Sequence, residues 1–549
     1  MLDAERGGRF ALAPEEPFEA ERRYLPGTNV LETTFSTATG SIRVTDAMPL
    51  PGDRLSPFRE LAREVEGLAG TVPVTWRVEP RFDYGATRPA LGRRAGIPVA
   101  TAGNDAIAVL SWDGGEPTVK GETIAGRFEA EPGARSLLVV SAAHAEPLVL
   151  PSRQDVENRL DETEAFWREW SDGRSYEGPW KEAVLRSALA LKLLMYAPSG
   201  AGVASPTTSL PETIGGGRNW DYRFCWLRDS AFTVDAFLKL GCLDEAQAFF
   251  WWLFHATQLT RPRLDVLYRL NGSAQADEEE LPLNGYRGSR PVRVGNAALE
   301  QRQLDIYGDV LQTAWVYACR TGSLDGDTAS RLEEMASHVC GIWQDADSGI
   351  WEVRSAPAHY THSKMMCWVA VDRACRLAER GWVPDRHATR WRAAGDAIRR
   401  FVEEHCWSER AQSYVRAAGS DELDASLLLG VLTEYSSPRD ERSTRTIDAV
   451  RRELGRGPLL MRYLGEDGLE RREGAFLACS FWLVDALART GRVDEAAETM
   501  EQLLDLANDV GLYAEEIDPD THEFLGNMPQ GLVHLALIGA ATTIAEEAR

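Results

Sequence analysis

No stretch of this 549-residue chain approaches the run of about 18 apolar residues that a membrane-spanning helix needs. The opening Met1-Leu2-Asp3-Ala4-Glu5-Arg6 lacks the apolar core of a secretory signal, so the expected address is the cytoplasm. None of the eight cysteines (Cys225, Cys242, Cys319, Cys340, Cys367, Cys375, Cys406 and Cys479) stands in a C-x-x-C pair. Buried thiols are expected, and not a disulfide frame or a zinc site. His359 and His362 lie three apart but outside an H-E-x-x-H pattern, so neither a metal nor a cofactor is called for. Runs of Lys and Arg are missing as well, and the formal net charge is -24. Nucleic acid and anionic membrane are thereby poor partners, and a small neutral or polar ligand fits better. Nothing in the composition argues against a homo-oligomer.

Tryptophan is abundant, at 17 residues. Its flat ring and single N–H donor suit the faces of sugars, although most of these side chains are expected in the core. The length and the 44% hydrophobic content allow one small and one large domain.

Residues 1–150 alternate with period two: Val72, Val74, Trp76 and Val78 fall on one strand face, and Ile42/Val44, Ile107/Val109 and Leu137/Val139 repeat the theme. Turn residues at short intervals make this an antiparallel β-sandwich. Residues 151–179, with Val156, Leu160, Phe166 and Trp167 among charges, read as a linker helix. From 180 to 549 the pattern becomes helical, with twelve stretches of which every second one is apolar nearly all round. Ala231 to Leu238, Val310 to Ala318, Met365 to Val371, Leu427 to Leu432, Phe476 to Leu487 and Gly531 to Ala541 are these apolar segments. Helices buried on every side belong to an inner ring, and their charged neighbours to an outer one, which gives an (α/α)6 barrel. Connections into inner helices are the long ones, at about 198–228, 259–306, 346–361, 405–421, 454–473 and 510–528, and six closed hairpins would gather them at one end. A solenoid of hairpins is the competing architecture, but no fixed-period repeat favours it.

Three of those connections hold candidate chemistry. The first contains Gly215-Gly216-Gly217-Arg218-Asn219-Trp220-Asp221-Tyr222-Arg223-Phe224-Cys225-Trp226-Leu227-Arg228-Asp229. Arg228 beside Asp229 offers donor and acceptor together to sugar hydroxyls, or else Asp229 merely caps the helix that follows. The third holds Trp351-Glu352-Val353-Arg354, and the sixth Ala514-Glu515-Glu516-Ile517-Asp518. Two carboxyls on separate loops meet the need of glycosidic hydrolysis for one group to protonate the departing oxygen and another to act from the far face. An apolar ring next to Glu352 would raise its pKa, as an acid requires, and Glu516 could bind sugar beside a base at Glu515.

The stretch Asn219 to Asp229, the stretch Gly349 to Ala374 with Tyr360-Thr361-His362-Ser363-Lys364, and Ala514 to Asp518 followed by Gly526-Asn527 and Pro529-Gln530 resemble glycoside hydrolase family 15, the glucoamylases and bacterial trehalases. Tyr24-Leu25-Pro26-Gly27-Thr28-Asn29-Val30-Leu31 and Thr45-Asp46 are similar to the N-terminal domain of bacterial members, whose leading segment this chain lacks. The resemblance implies an inverting, exo-acting hydrolase that releases β-glucose from a non-reducing α-glucoside end, with trehalose the first choice of substrate. It places Glu352 at the general acid and Glu515 at the general base. Arg228 and Asp229 fall at the pair that holds the innermost glucose, Tyr222 beside the base, and Trp226 and Trp351 in the pocket wall; His362, Lys364 and Glu516 complete the substrate-binding group. Val353 stands where fungal glucoamylases carry a second Glu, so preference for α-1,4 glucans does not transfer. Glucoamylase-type hydrolysis of α-1,4 or α-1,6 gluco-oligosaccharides is the alternative of the same class. A phosphorolytic enzyme and a non-catalytic sugar-binding protein are the others.

Overall fold

The computed structural model describes residues 1–50, 59–465 and 473–549, so residues 466–472 of the fifth long connection lie outside the described residues. The chain divides into two units, Met1–Gly173 and Arg174–Arg549. The first is a sandwich of two antiparallel sheets. One has four strands in the spatial order Arg9–Pro14, Val72–Glu79, Thr123–Ala130 and Thr118–Lys120. The other has eight, in the order Phe18–Tyr24, Leu31–Thr37, Gly40–Ala47, Arg59–Gly70, Arg135–His144, Asp105–Trp112, Ile97–Ala102 and Ala90–Arg94. Val72, Val74, Trp76 and Val78 meet Ile42, Val44, Val65, Val109 and Leu138 in a common core, because alternate residues of a strand project to the same face. Trp76 buries its ring there and donates its Nε1–H to the Gly114 carbonyl at 2.7 Å.

The segment read as a linker turns out to be a third layer of this unit. Helix α1 (Arg153–Asp172) opens on a capping box between Ser152 and Asp155. Its buried residues Val156, Arg159, Thr163, Trp167 and Trp170 recur every three or four positions. Such a stripe needs a surface to cover, and Val156 joins Ala62, Val99, Ala108, Leu110, Leu137 and Val139 on the outer face of the eight-stranded sheet. Arg159 reaches the buried Glu60 at 2.6 Å, which places one ion pair inside this layer.

The second unit contains α2 (Lys181–Leu194), α3 (Ser230–Lys239), α4 (Leu243–Ala256), α5 (Ile306–Thr321), α6 (Gly326–Ile342), α7 (Thr361–Glu379), α8 (Ala388–His405), α9 (Leu429–Leu432), α10 (Glu441–Leu454), α11 (Leu477–Arg489), α12 (Val493–Leu504) and α13 (Gly531–Glu547). The odd-numbered helices pack in the closed circuit α3, α5, α7, α9, α11, α13 and back to α3. Even-numbered helices lie outside them, α4 on α3, α6 on α7, α8 on α7, α12 on α11 and α2 on α13. This is the (α/α)6 barrel expected from the apolar alternation. The pattern overstates one member: the stretch around 422–434 yields a 3-10 turn, Ala425–Leu428, and only four α-helical residues. There Asp424 accepts from the Ser426 amide and from the Trp351 indole, so the chain is committed to the site before the helix begins. No helix among the described residues is long and apolar enough to cross a membrane.

Candidate active site

The first, second, third and fifth long connections supply residues to one site, and the sixth reaches it through Glu515, which accepts from Tyr222. A small cavity opens there, with Glu352, Tyr222, Trp351, Arg462, Trp220 and Gln301 in its wall. Glu352 sits in a tight turn in which its amide donates to Gly349, and its backbone lies in the left-handed region at φ 55°. Gln301 Nε2 donates to the Glu352 carbonyl at 3.1 Å and steadies that turn. The Glu352 carboxyl accepts from Trp226 Nε1 at 2.8 Å and stands 3.6 Å from Arg228 Nη1. Burial raises its pKa, while Arg228 and the Trp226 hydrogen bond pull the other way. The indole that touches the acid is therefore Trp226. Trp351, its chain neighbour, packs on Phe476 and Trp482 and donates to Asp424 at 2.9 Å.

The two readings of Asp229 are now separable. It precedes α3, yet its side chain makes no capping hydrogen bond. Its Oδ1 instead accepts from Arg228 Nε at 2.8 Å, while Arg228 Nη1 donates to the Ile350 carbonyl at 3.3 Å, so the Arg228–Asp229 pair joins the first connection to the third.

Glu515 comes from the opposite side of the ring. It lies just before the strand Glu516–Ile517, which is paired with Ala475–Phe476 and Phe524–Leu525. Its backbone is held on both sides, by Leu477 and by Asn527. Its Oε1 accepts from the Tyr222 hydroxyl at 2.5 Å, and Tyr222 meets Trp226 edge to face at 5.3 Å between ring centres. A continuous chain of contacts thus runs Glu352, Trp226, Tyr222, Glu515. The second oxygen, Glu515 Oε2, is buried without a hydrogen-bond partner among the described residues. It lies against Gly526, where a Cβ would come within 2.7 Å of it and where φ is 74°. Glu515 is buried, and burial raises its pKa; Arg462, the Tyr222 hydroxyl and Arg228 oppose that rise, whereas Glu473 adds to it.

Of the residues expected to bind substrate, Tyr222 and Trp351 stand in the cavity wall; Trp226, Arg228 and Asp229 lie behind it, and three others are committed elsewhere. In extended backbone, consecutive side chains turn to opposite faces, so Glu516 points away from Tyr222 and accepts from the Gly474 amide at 2.8 Å, with Arg462 at 3.4 Å. Lys364 is fully buried and donates to the Trp343 and Asp345 carbonyls, which fastens the connection after α6. His362 is also buried, with Nδ1 3.8 Å from Asp305, and burial pushes its pKa down to about 3, so the ring is neutral.

The residues missed by motif reading are the ions behind Glu515. Arg462 donates from Nε to Glu473 at 3.0 Å, and its Nη2 lies 3.4 Å from both Glu212 and Glu516; Arg218 adds a contact to Glu473 at 3.1 Å. Oxygens of Glu212, Glu473 and Glu516 come within 4.8 Å of one another, which is close enough for a cation. Arg462 contacts all three, so the positive charge such a trio needs is supplied by a side chain. Burial raises the pKa of Glu212 despite Arg462. Arg218 and Glu516 belonged to recognisable stretches. Arg462 and Glu212 carry no local signature, since a single charge in a loop is ordinarily a solvated one.

Comparison with known proteins shows the family. The profile described as "Glycosyl hydrolases family 15" matches residues 178–542. A protein named trehalase from Mycobacterium tuberculosis is 37% identical over 98% of this chain and 83% of its own length. One of the same name from Thermoplasma volcanium is 35% identical over 100% of this chain and 88% of its own. A crystal structure of bacterial glucoamylase complexed with acarbose superimposes with a TM-score of 0.77, covering 98% of this chain and 88% of that one; at 14% identity this likeness concerns the fold.

Proposed function

Because the chain belongs to glycosyl hydrolase family 15, we propose that it hydrolyses trehalose to glucose in one displacement, with inversion at the anomeric carbon. The observation that carries this reading is the pair of carboxyls, half-buried Glu352 and buried Glu515, brought from separate connections and joined by the Trp226–Tyr222 contact. In this reading Arg228 and Asp229 grip the non-reducing glucose. Burial raises the pKa of Glu352 and so favours the protonated form that gives its proton to the departing oxygen. Glu515, which burial lifts to about 7, acts in its ionised form: Tyr222 occupies Oε1, and Oε2 is the oxygen that takes a proton from the attacking water. The choice of trehalose follows the full-length relatives of that name, and the partner is a neutral carbohydrate, not a nucleic acid.

Glucose release from trehalose, maltose, isomaltose and soluble starch, with the anomer followed by NMR, tests the reading. Trehalose should be cleaved fastest, and the new hemiacetal should appear as β-glucose. Retention of configuration, or turnover only with added phosphate, would replace it.

Gly526→Ala is a local test of how Glu515 is held. The added methyl meets the carboxylate at a positive-φ position, so the base is displaced and the backbone strained together. We expect kcat/KM to fall by about tenfold or more, the scale of an ångström-sized misplacement, with the melting temperature lowered by only a few degrees. Unchanged kinetics would mean that the position of Oε2 is not critical.

A further inference from the structure

One part of the cavity wall is used neither by the acid, nor by the base, nor by the Arg228–Asp229 pair. Trp220 and Arg354 line it together, with the Arg354 guanidinium 4.4 Å from the Trp220 ring centre. Behind them, Glu278 bridges two arginines, Arg354 at 3.2 Å and Arg293 at 3.2 Å. Arg293 is itself fixed, since Nη1 donates to the Gly217 and Asn219 carbonyls at 2.9 and 3.1 Å and the guanidinium lies 4.7 Å from the Trp220 ring centre. Three connections thus build one stiff panel: Trp220 from the first, Glu278 and Arg293 from the second, Arg354 from the third.

The chemistry of the panel is lopsided. Glu278 is shared between two guanidinium groups, and its Oε2 also accepts from the Ala297 amide. Glu278 is the hydrogen-bond acceptor that Arg354 has among the described residues. A planar group with five N–H donors therefore has one of them paired, and it lines the cavity beside an indole ring. Arg354 keeps 36% of its side chain exposed, while Arg293 keeps 10%, which puts Arg354 at the mouth. It follows Glu352 by two residues, and Gln301, also in the wall, donates to the backbone carbonyls of Glu352 and Val353. Val353 between them is buried and apolar.

We infer that the Trp220–Arg354 panel is the subsite for the leaving group, binding the hydroxyls of the second glucose of trehalose through Arg354 and thereby setting acceptor preference. The inference rests on the hydrolase reading above. The panel's rigidity comes from Glu278 and Arg293, so the hydrogen bonds form without ordering a loop.

The test compares two substrates that share the glucose to be transferred and differ in what leaves. Trehalose departs as a sugar, whereas α-glucosyl fluoride departs as fluoride and has nothing to place on the panel. For Arg354→Ala, the ratio of kcat/KM on trehalose to kcat/KM on α-glucosyl fluoride should fall by about tenfold or more, the size of a lost hydrogen-bond set to a charged group. Arg354→Lys, which keeps the charge without the planar fork, should recover part of the ratio. An unchanged ratio, whether both activities hold or both fall together, would overturn the subsite. Failure of the unaltered protein to release glucose from either substrate would overturn the hydrolase reading, and the subsite with it.

Discussion

Glu352→Gln and Glu515→Gln should each lower trehalose turnover by about a hundredfold or more, the scale on which positioned acid and base groups act. Both changes remove a charge and a proton while keeping the side-chain volume. Trp226 can still donate to the amide oxygen at position 352, and Tyr222 to the one at 515, so the surrounding contacts survive and loss of turnover reports on proton transfer. The two variants should separate on α-glucosyl fluoride. Fluoride leaves without protonation, so Glu352→Gln should keep much more of its activity there, while Glu515→Gln should lose activity on both substrates because water still needs a base. Near-normal turnover in either variant would remove that residue from the mechanism, and equal losses on both substrates for Glu352→Gln would deny it the role of acid.

Arg462→Met has the second-largest expected effect, and it acts through pH. Burial raises the pKa of Glu515, and Arg462 is the strongest influence opposing it. Without the guanidinium the pKa rises further. A base works ionised, so the acid limb of the kcat/KM profile should move to higher pH, with activity lost at neutral pH and partly restored in alkali. Stability should change as well, because Glu212, Glu473 and Glu516 would lose their shared cation; breaking a buried ion pair costs about 3–5 kcal/mol. The sign of its pH dependence follows from linkage. Glu212 and Glu516 have folded-state pKa values raised by burial, so the folded protein holds protons that the unfolded chain has released. Their stabilising contribution is present in acid and is lost as pH rises through the raised values. In the variant these values climb further, and its melting temperature should fall most against the parent above neutral pH. A uniform deficit across pH, with an unmoved acid limb, would reduce Arg462 to a packing role. Arg462→Lys, which keeps the charge, should leave the acid limb nearer its original place.

The barrel was readable because inner helices are apolar on all sides and outer ones are not, a contrast that twelve segments repeat. Glu352, Glu515, Tyr222, Trp226 and the Arg228–Asp229 pair were readable because each sits in a long motif. The role of helix α1 was not. An amphipathic stretch shows that it covers something, but the eight-stranded sheet it covers is assembled from residues far away in sequence. The same limit hid Arg462, Glu212 and Glu473, which acquire their meaning only when separate connections converge. Lys364 erred in the other direction. A lysine within a catalytic-looking motif invites a role with ligand, and the carbonyls of Trp343 and Asp345 that claim it are not foreseeable from its neighbours.

Glu352 places its carboxyl from left-handed backbone, which costs a residue with a β-carbon about 1–2 kcal/mol. Gln301, reaching across from the second connection, clasps the carbonyls on either side of the next peptide. The third connection therefore does not carry its own shape. Grafted alone onto a related scaffold, the segment around Trp351 and Glu352 would relax and swing the proton donor out of line, whereas a transplant that brought residue 301 with it would keep its aim.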